Sequence, residues 1–113
     1  MVTIYHNPRC SKSRQTLALL QDRGINPEIV EYLVTPPSAE TLSQLLAMLG
    51  MPADALMRHG EDEYQLLVKG KNLSEQEAVQ MMSNHPRLIE RPIVVSGGKA
   101  AIGRPPEHVL TIL

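Results

Sequence analysis

The first part of the chain constrains the fold most strongly, because it predicts two strands joined by a helix. Residues 2–5 read VTIY, a β-branched and aromatic run that is typical of a short buried strand. A helix is predicted from about Cys10 to Arg23, with Gly24 as its C-cap, and the run PEIVEYL that follows predicts a second strand. A strand, a helix and a strand within about 30 residues form a βαβ unit, which implies parallel strands and a right-handed crossover.

The middle of the chain predicts helices instead. Ser38 is a good N-cap for a helix whose leucines recur at i, i+3, i+4 and i+7. Ser74 and Glu77 have the spacing of a capping box, which predicts a second helix start. Residues 38–85 are therefore expected to form a helical insertion, with looser turns at its centre, inside a single domain that covers residues 1–113.

The C-terminal part predicts a β-hairpin followed by a short helix. The apolar runs IVV and AAI flank residues 96–99 (SGGK), whose two glycines accept the positive φ angles of a tight hairpin turn. Pro105 and Pro106 then open a short final helix. The complete order is βαβ, helical insertion and ββα, which is the element order of an α/β protein with a thioredoxin-like mixed sheet. In such a sheet the first helix starts at the active-site end of the first strand.

Composition and charge argue against several classes of function. The formal net charge is −1, and the chain has one cysteine, no tryptophan and no phenylalanine. A nearly neutral chain gives no electrostatic reason to expect a nucleic acid or an anionic membrane as a partner. No apolar run approaches the length of a membrane span, and the N-terminus lacks a charged segment followed by an apolar one. One cysteine with scattered histidines makes a poor zinc set, so we expect no metal and a cytoplasmic protein.

The only cysteine, Cys10, stands where the first strand is expected to turn into the first helix. A helix N-terminus presents unpaired N–H groups and a partial positive charge, and both favour a thiolate over a thiol. Polar and cationic neighbours could strengthen this preference, and they are His6, Arg9, Lys12, Ser13 and Arg14. The pattern therefore favours a reactive thiol.

Other interpretations of this cysteine compete with the reactive thiol. Free cysteines are usually buried, inert and equivalent to small apolar residues. A tyrosine-phosphatase-type loop needs an arginine six residues after the cysteine, and that position is Thr16. A dithiol redox pair needs Cys-x-x-Cys, and the second position is Ser13. A monothiol glutaredoxin keeps Cys-x-x-Ser and is not excluded by this count.

Three arginines lie near predicted turns or apolar runs: Arg58, Arg91 and Arg104. Each one alone is most simply a surface charge whose apolar stem packs on the protein. In a thioredoxin-like sheet, however, the residues just before the third strand and just after the fourth can approach the start of the first helix. Guanidinium groups that converge there would bind a tetrahedral oxyanion through forked hydrogen bonds, next to the thiolate.

Five ordered motifs span nearly the whole chain: TIYHNPRCSKSRQTL, YLVTPPS, ALMRHG, HPRLIERPIVV and GRPPE. In these motifs the chain resembles the ArsC-type arsenate reductases that use glutathione and glutaredoxin, and within them the short YfgD-type members. The resemblance implies a thioredoxin-like fold with a helical insertion. Ser11 and Lys12 stand where characterised reductases have small neutral residues after the cysteine, and Lys12 departs from them by adding a cation.

The resemblance also implies a reaction. Cys10 would attack arsenate as a thiolate and give a cysteinyl–arsenate adduct, glutathione would attack next, and glutaredoxin would resolve the mixed species and release arsenite. No bound cofactor is implied, and glutathione is a co-substrate. The positions that match family residues are Arg58, Arg91 and Arg104 for oxyanion binding, His6 and Ser13 for activation of the cysteine, and Pro92 for a cis peptide bond.

Two other functions stay open in this fold family. Spx-like regulators bind RNA polymerase and sense thiol stress, but they often carry a Cys-x-x-Cys switch, which Ser13 breaks. A monothiol glutaredoxin-like protein would act on glutathione mixed disulfides, which have no oxyanion for the arginines to bind. The remaining histidines are expected to be ordinary surface or capping residues, and they are His59, His85 and His108.

Overall fold

The computed structural model describes residues 1–113 and contains four strands and five α-helices. In chain order the elements are β1 (Val2–His6), α1 (Ser11–Asp22), β2 (Glu28–Glu31), α2 (Ala39–Leu49), α3 (Ala53–Leu56), α4 (Asp62–Leu67), α5 (Glu75–Asn84), β3 (Ile93–Ser96) and β4 (Lys99–Ile102). Two 3₁₀ helices complete the chain, at Pro86–Leu88 and Pro106–Ile112. None of the helices is long and apolar enough to cross a membrane.

The four strands form one mixed sheet in the order β2-β1-β3-β4. β1 and β2 are parallel, as expected of strands joined through a helix, whereas β1 with β3 and β3 with β4 are antiparallel. The glycine pair at the predicted hairpin has φ angles of 55° and 79°, in the left-handed region that this turn requires. The predicted α/β, thioredoxin-like fold is confirmed.

The chain divides into two compact units. One unit contains residues 1–35 and 91–113, and we call it the sheet unit because it holds all four strands and α1. The other contains residues 36–90, and we call it the helical unit because it holds α2 to α5. The helical unit is a continuous segment of the chain between β2 and β3.

The core of the sheet unit is aliphatic, as a chain without phenylalanine or tryptophan requires. Its fully enclosed side chains are Ile4, Leu20, Val94, Ala101 and Val109. Strand residues two apart point to the same face, so His6 follows Ile4 on the buried face of β1. The core pattern of β1 therefore also places a histidine inside, at the end of the strand.

The helical unit is built on the two helix starts that the sequence predicts. The Ser38 hydroxyl accepts a hydrogen bond from the Thr41 N–H, and Ser74 and Glu77 form a complete capping box. The region predicted as looser turns instead contains the short helices α3 and α4. Neither is long enough to show a clear apolar period in the sequence, which is why the pattern missed them.

Two helices near the ends of the chain also refine the sequence-based picture. α1 begins at Ser11, one residue later than predicted, and Cys10 is its N-cap. The last helix is of the 3₁₀ type, over Pro106–Ile112. A difference of one residue at a helix end usually has no consequence, but here the position of Cys10 outside the first turn decides what its sulfur can contact.

We expect Leu20→Ala to destabilise the protein by about 3 kcal/mol, because it opens a cavity in the aliphatic core of the sheet unit. The measurement is the free energy of unfolding in urea. The matched control is Leu66→Ala, since Leu66 is 72% exposed and the same truncation there should change stability by less than about 0.5 kcal/mol. Equal effects of the two substitutions would contradict the assignment of the core.

Candidate active site

The site is built on the short loop between β1 and α1, which ends at Cys10. The Cys10 N–H donates to the Asn7 carbonyl at 3.0 Å, and the Cys10 carbonyl accepts the first helical bond from Arg14 N–H at 3.0 Å. The Cys10 side chain makes no capping hydrogen bond, although the residue is the N-cap. The sulfur therefore accepts no hydrogen bond from the N–H groups of the first turn of α1. At 8% exposure, the residue is largely shielded from water.

A buried polar cluster lies beside this loop. The Ser13 hydroxyl oxygen is 2.6 Å from His6 Nδ1, and it also accepts a hydrogen bond from the Asn7 N–H at 3.0 Å. Ser13 is fully buried and His6 nearly so. Because Ser13 lies in the first turn of α1 and His6 ends β1, the cluster joins the strand and the helix that hold the cysteine between them.

Burial lowers the pKa of His6 from its ordinary value of 6.5. The negative charge of Glu31 opposes this effect and the positive charge of Arg14 adds to it. His6 is therefore a neutral imidazole near pH 7. In the tautomer with hydrogen on Nδ1, His6 donates to Ser13, and the serine hydroxyl hydrogen stays free to bond a third atom.

Two of the predicted arginines are in contact with each other, and one of them reaches the cysteine. Arg104 Nε donates to the Arg91 carbonyl at 2.8 Å, and Arg104 Nη2 lies 3.6 Å from Cys10 Sγ. The Nε atom of Arg91 is buried. One guanidinium thus contacts both the backbone that precedes β3 and the sulfur at the start of α1.

Both arginines precede a cis proline. The Arg91–Pro92 peptide bond is cis, which is the conformation that the family resemblance implies for Pro92. The Arg104–Pro105 bond is cis as well, and no sequence pattern predicted it. The Gly103 N–H donates to the Pro92 carbonyl at 2.9 Å, so the two segments that carry the arginines are directly hydrogen bonded.

Arg58, the third predicted arginine, belongs to the helical unit. Its side chain forms an ion pair with Glu61 and lies 3.6 Å from a Glu90 carboxylate oxygen. Its N–H donates to the Leu88 carbonyl at 2.7 Å. Arg58 is therefore held by carboxylates of its own unit, whereas the contacts among His6, Cys10, Ser13, Arg91 and Arg104 all lie within the sheet unit.

The residue that organises the loop, Asn7, was not predicted from the sequence. Asn7 accepts the Cys10 N–H through its carbonyl and the Arg9 N–H through its side chain at 3.0 Å, and it donates its own N–H to Ser13. The available signal was the Asn-Pro dipeptide, since asparagine before proline commonly starts a turn. Arg14 reinforces the loop by donating from its guanidinium to the Pro8 carbonyl at 3.0 Å.

A groove of about 360 Å³ runs beside the loop, and it is lined by His6, Asn7, Pro8, Arg9, Glu31, Leu33 and Val34. No group of three histidine, cysteine or acidic side chains is arranged to hold a metal ion. The chemistry that the site offers is thus that of one thiol, a guanidinium in contact with it, and a buried imidazole–hydroxyl pair.

We expect the protein to lose stability as the pH falls below 6.5, in part because of His6. The pKa of His6 is lower in the folded protein than in the unfolded chain, so below 6.5 the unfolded chain binds a proton that the folded protein resists. His6→Asn should reduce the loss of unfolding free energy in urea between about pH 7.5 and 5. The exposed His108→Asn is the control and should keep the wild-type loss. An identical loss in the His6 variant would disprove this contribution.

Known proteins resemble this chain over nearly its whole length. Residues 5–112 match the model of the ArsC family. The uncharacterized protein YfgD of Escherichia coli (strain K12) is 57% identical, over 99% of this chain and 96% of that protein. An arsenate reductase of Neisseria meningitidis is 45% identical, over 99% of this chain and 97% of that one.

Solved structures agree with the sequence comparisons. The arsenate reductase from Vibrio cholerae superposes with a TM-score of 0.95 at 52% identity, covering 99% of this chain and 97% of that chain. The resemblance seen in the sequence motifs is confirmed, and the chain belongs to the ArsC family.

Proposed function

We propose that this protein reduces arsenate to arsenite, with Cys10 as the nucleophile. The observation that carries the proposal is the contact of Arg104 Nη2 with Cys10 Sγ at 3.6 Å, at the start of α1. A guanidinium in contact with a sulfur that is free of helix capping provides a charged donor for an incoming oxyanion beside the nucleophile. Membership in the ArsC family, with relatives named arsenate reductase, makes arsenate the oxyanion we propose.

In the proposed first step, the Cys10 thiolate attacks arsenic(V). An S–As bond forms, and one arsenate oxygen leaves as water after protonation. Negative charge moves from the sulfur to the arsenate oxygens in this step. Arg104 is proposed to shift its Nη2 donor from the sulfur to one of these oxygens, so a single guanidinium stabilises the reactant anion and the adduct.

The proposed reductant is glutathione, with glutaredoxin as the protein partner. Glutathione adds to the same arsenic through its sulfur and expels a second oxygen as water. A glutaredoxin thiolate then attacks the glutathione sulfur, so that a mixed disulfide forms and the electron pair of the broken S–As bond stays on arsenic(III). Water cleaves the remaining bond to Cys10 and releases arsenite. No bound cofactor is needed, and such a thiol cycle fits the reducing cytoplasm.

The buried pair His6 and Ser13 is proposed to direct a hydrogen toward the reaction. With Nδ1–H of His6 and the Asn7 N–H both donating to the Ser13 oxygen, the serine hydroxyl hydrogen is left to bond the Cys10 sulfur or an oxygen of the adduct. Burial keeps the imidazole neutral, so it acts by orienting a dipole. The pair would thus add a hydrogen bond to the anion without adding a charge.

Arg91 and Arg58 are proposed as further oxyanion ligands on the strength of the family motifs. The Arg91 carbonyl fixes the Nε of Arg104, so this residue contributes through its backbone in any case. Arg58 contacts Glu61 through Nη1 and Glu90 through Nε, so its Nη2 hydrogens are the donors proposed for an arsenate oxygen.

The test is arsenate-dependent NADPH oxidation in the presence of glutathione, glutathione reductase and glutaredoxin. Cys10→Ser should abolish turnover, because the alcohol has no accessible anion. Arg104→Ala should lower kcat/KM for arsenate about 100-fold, since it removes the donor that contacts the reacting sulfur. The control is Arg23→Ala, an exposed residue at the far end of α1, which should retain wild-type kinetics.

Three results would count against the proposal. Wild-type protein without arsenate turnover would reject arsenate as substrate, and activity on glutathione mixed disulfides that ignores Arg104→Ala would identify a monothiol glutaredoxin-like protein instead. If the protein has neither activity but recovers RNA polymerase subunits in a pull-down, an Spx-like regulator would be favoured instead.

A further inference from the structure

Gly103 lies where the chain leaves β4, and it leaves no room for a side chain. A Cβ added there would lie 2.5 Å from Thr16 Oγ1, 2.8 Å from Pro92 Cγ and 3.2 Å from Thr16 Cγ2. Its φ lies outside the left-handed region, unlike that of Gly98 at +79°, so glycine is required here by space and not by backbone conformation. The other glycines have nothing within 4 Å of such a Cβ.

The two neighbours of Gly103 cannot easily give way. Thr16 is fully buried, and its hydroxyl donates to the Lys12 carbonyl at 2.8 Å, so turning the side chain would break a bond in a crowded place. Pro92 has a closed ring, and its carbonyl accepts the Gly103 N–H at 2.9 Å. A methyl group at Gly103 would therefore move backbone, either of α1 or of the segment that follows β4.

Both of these backbones carry groups of the candidate site. α1 starts directly after Cys10 and holds Ser13 one turn before Thr16. The segment after β4 continues directly into Arg104, whose guanidinium contacts Cys10 Sγ. Gly103 and Thr16 are thus the place where the segment that carries Arg104 packs on the helix that follows Cys10.

We infer that Gly103 is a positioning residue, whose missing side chain sets the distance between the Arg104 guanidinium and the Cys10 sulfur. The inference rests on the proposed function for its catalytic consequence, because Arg104 matters to turnover only if it serves the reacting thiolate and the oxyanion. The geometric part stands by itself: widening the gap between Gly103 and Thr16 lengthens a contact that is already 3.6 Å. A displacement of about 1 Å at a reacting group commonly costs up to 100-fold in rate.

The experiment compares Gly103→Ala with Gly98→Ala by two readouts. The first is the rate at which iodoacetamide alkylates Cys10 at pH 7, which needs no arsenate and follows the thiolate. The second is kcat/KM for arsenate. Gly103→Ala should slow alkylation by about threefold or more and lower kcat/KM by about tenfold or more. Gly98→Ala is the matched control, since it strains the turn of the same hairpin by its φ of +79° but has open space around it.

A second pair of variants separates positioning from loss of stability. Thr16→Ala removes the two threonine atoms that crowd the added methyl, so the double variant Thr16→Ala/Gly103→Ala should recover part of the alkylation rate lost in Gly103→Ala. If Gly103→Ala does not fold, the double variant is compared with Thr16→Ala alone, and the remaining 2.8 Å approach to Pro92 should still slow alkylation.

The outcomes are distinct for the two proposals. Equal alkylation rates for Gly103→Ala and Gly98→Ala would overturn the positioning role. Both rates are measured without urea, after unfolding in urea has shown that each variant is folded under these conditions. Where Gly103→Ala does not fold, a double variant that alkylates like Thr16→Ala alone would overturn this role as well. A wild-type protein without arsenate turnover rejects the proposed function, whereas the alkylation comparison still decides the role of Gly103.

Discussion

The site depends on a sulfur that stands at a helix N-cap without capping the helix. Because the N–H groups of the first turn of α1 do not use the Cys10 side chain, the sulfur can face a guanidinium that comes from 94 residues further along the chain. Three parts of the sheet unit bring these two groups together. β1 leads into the loop that ends at Cys10, and α1 begins directly after it. The hairpin of β3 and β4 brings the chain back to this loop, where Arg104 contacts the sulfur.

The register of the strands explains how that return is achieved. Ile93 pairs with Ile102, which is the pair furthest from the hairpin turn. Arg91 and Arg104 each lie two residues beyond this pair, at the same end of the hairpin. Ile93 also pairs with Tyr5, which places this end of the hairpin next to the end of β1. An antiparallel hairpin paired with a parallel βαβ unit therefore puts Arg104 against the start of α1, with the Arg91 carbonyl hydrogen bonded to it.

The sequence predicted the parts of this arrangement that depend on local chemistry. The βαβ order, the serine caps, the glycine turn and the cysteine at a helix start all follow from residue types at short spacing. The contact of Arg104 with the sulfur was expected only in outline, because it depends on strand order and register. The space around Gly103 and the cis bond before Pro105 carry no local signal, since both arise from packing between segments that are distant in sequence. For Arg58 the motif gave a role, but the carboxylates that hold it, Glu61 and Glu90, follow from the fold of residues 36–90.

The order of the strands also leaves β2 at one edge of the sheet, with one side of its backbone unpaired. Such an edge can recruit a strand from another molecule, and an apolar residue such as Ile29, which is 46% exposed, would favour this. β2 is only four residues long and has a glutamate at each end, Glu28 and Glu31. Two copies that approached edge to edge in antiparallel register would bring these like charges together. The glutamates thus oppose pairing of β2 with a second copy of itself, while the other side of the strand stays paired with β1.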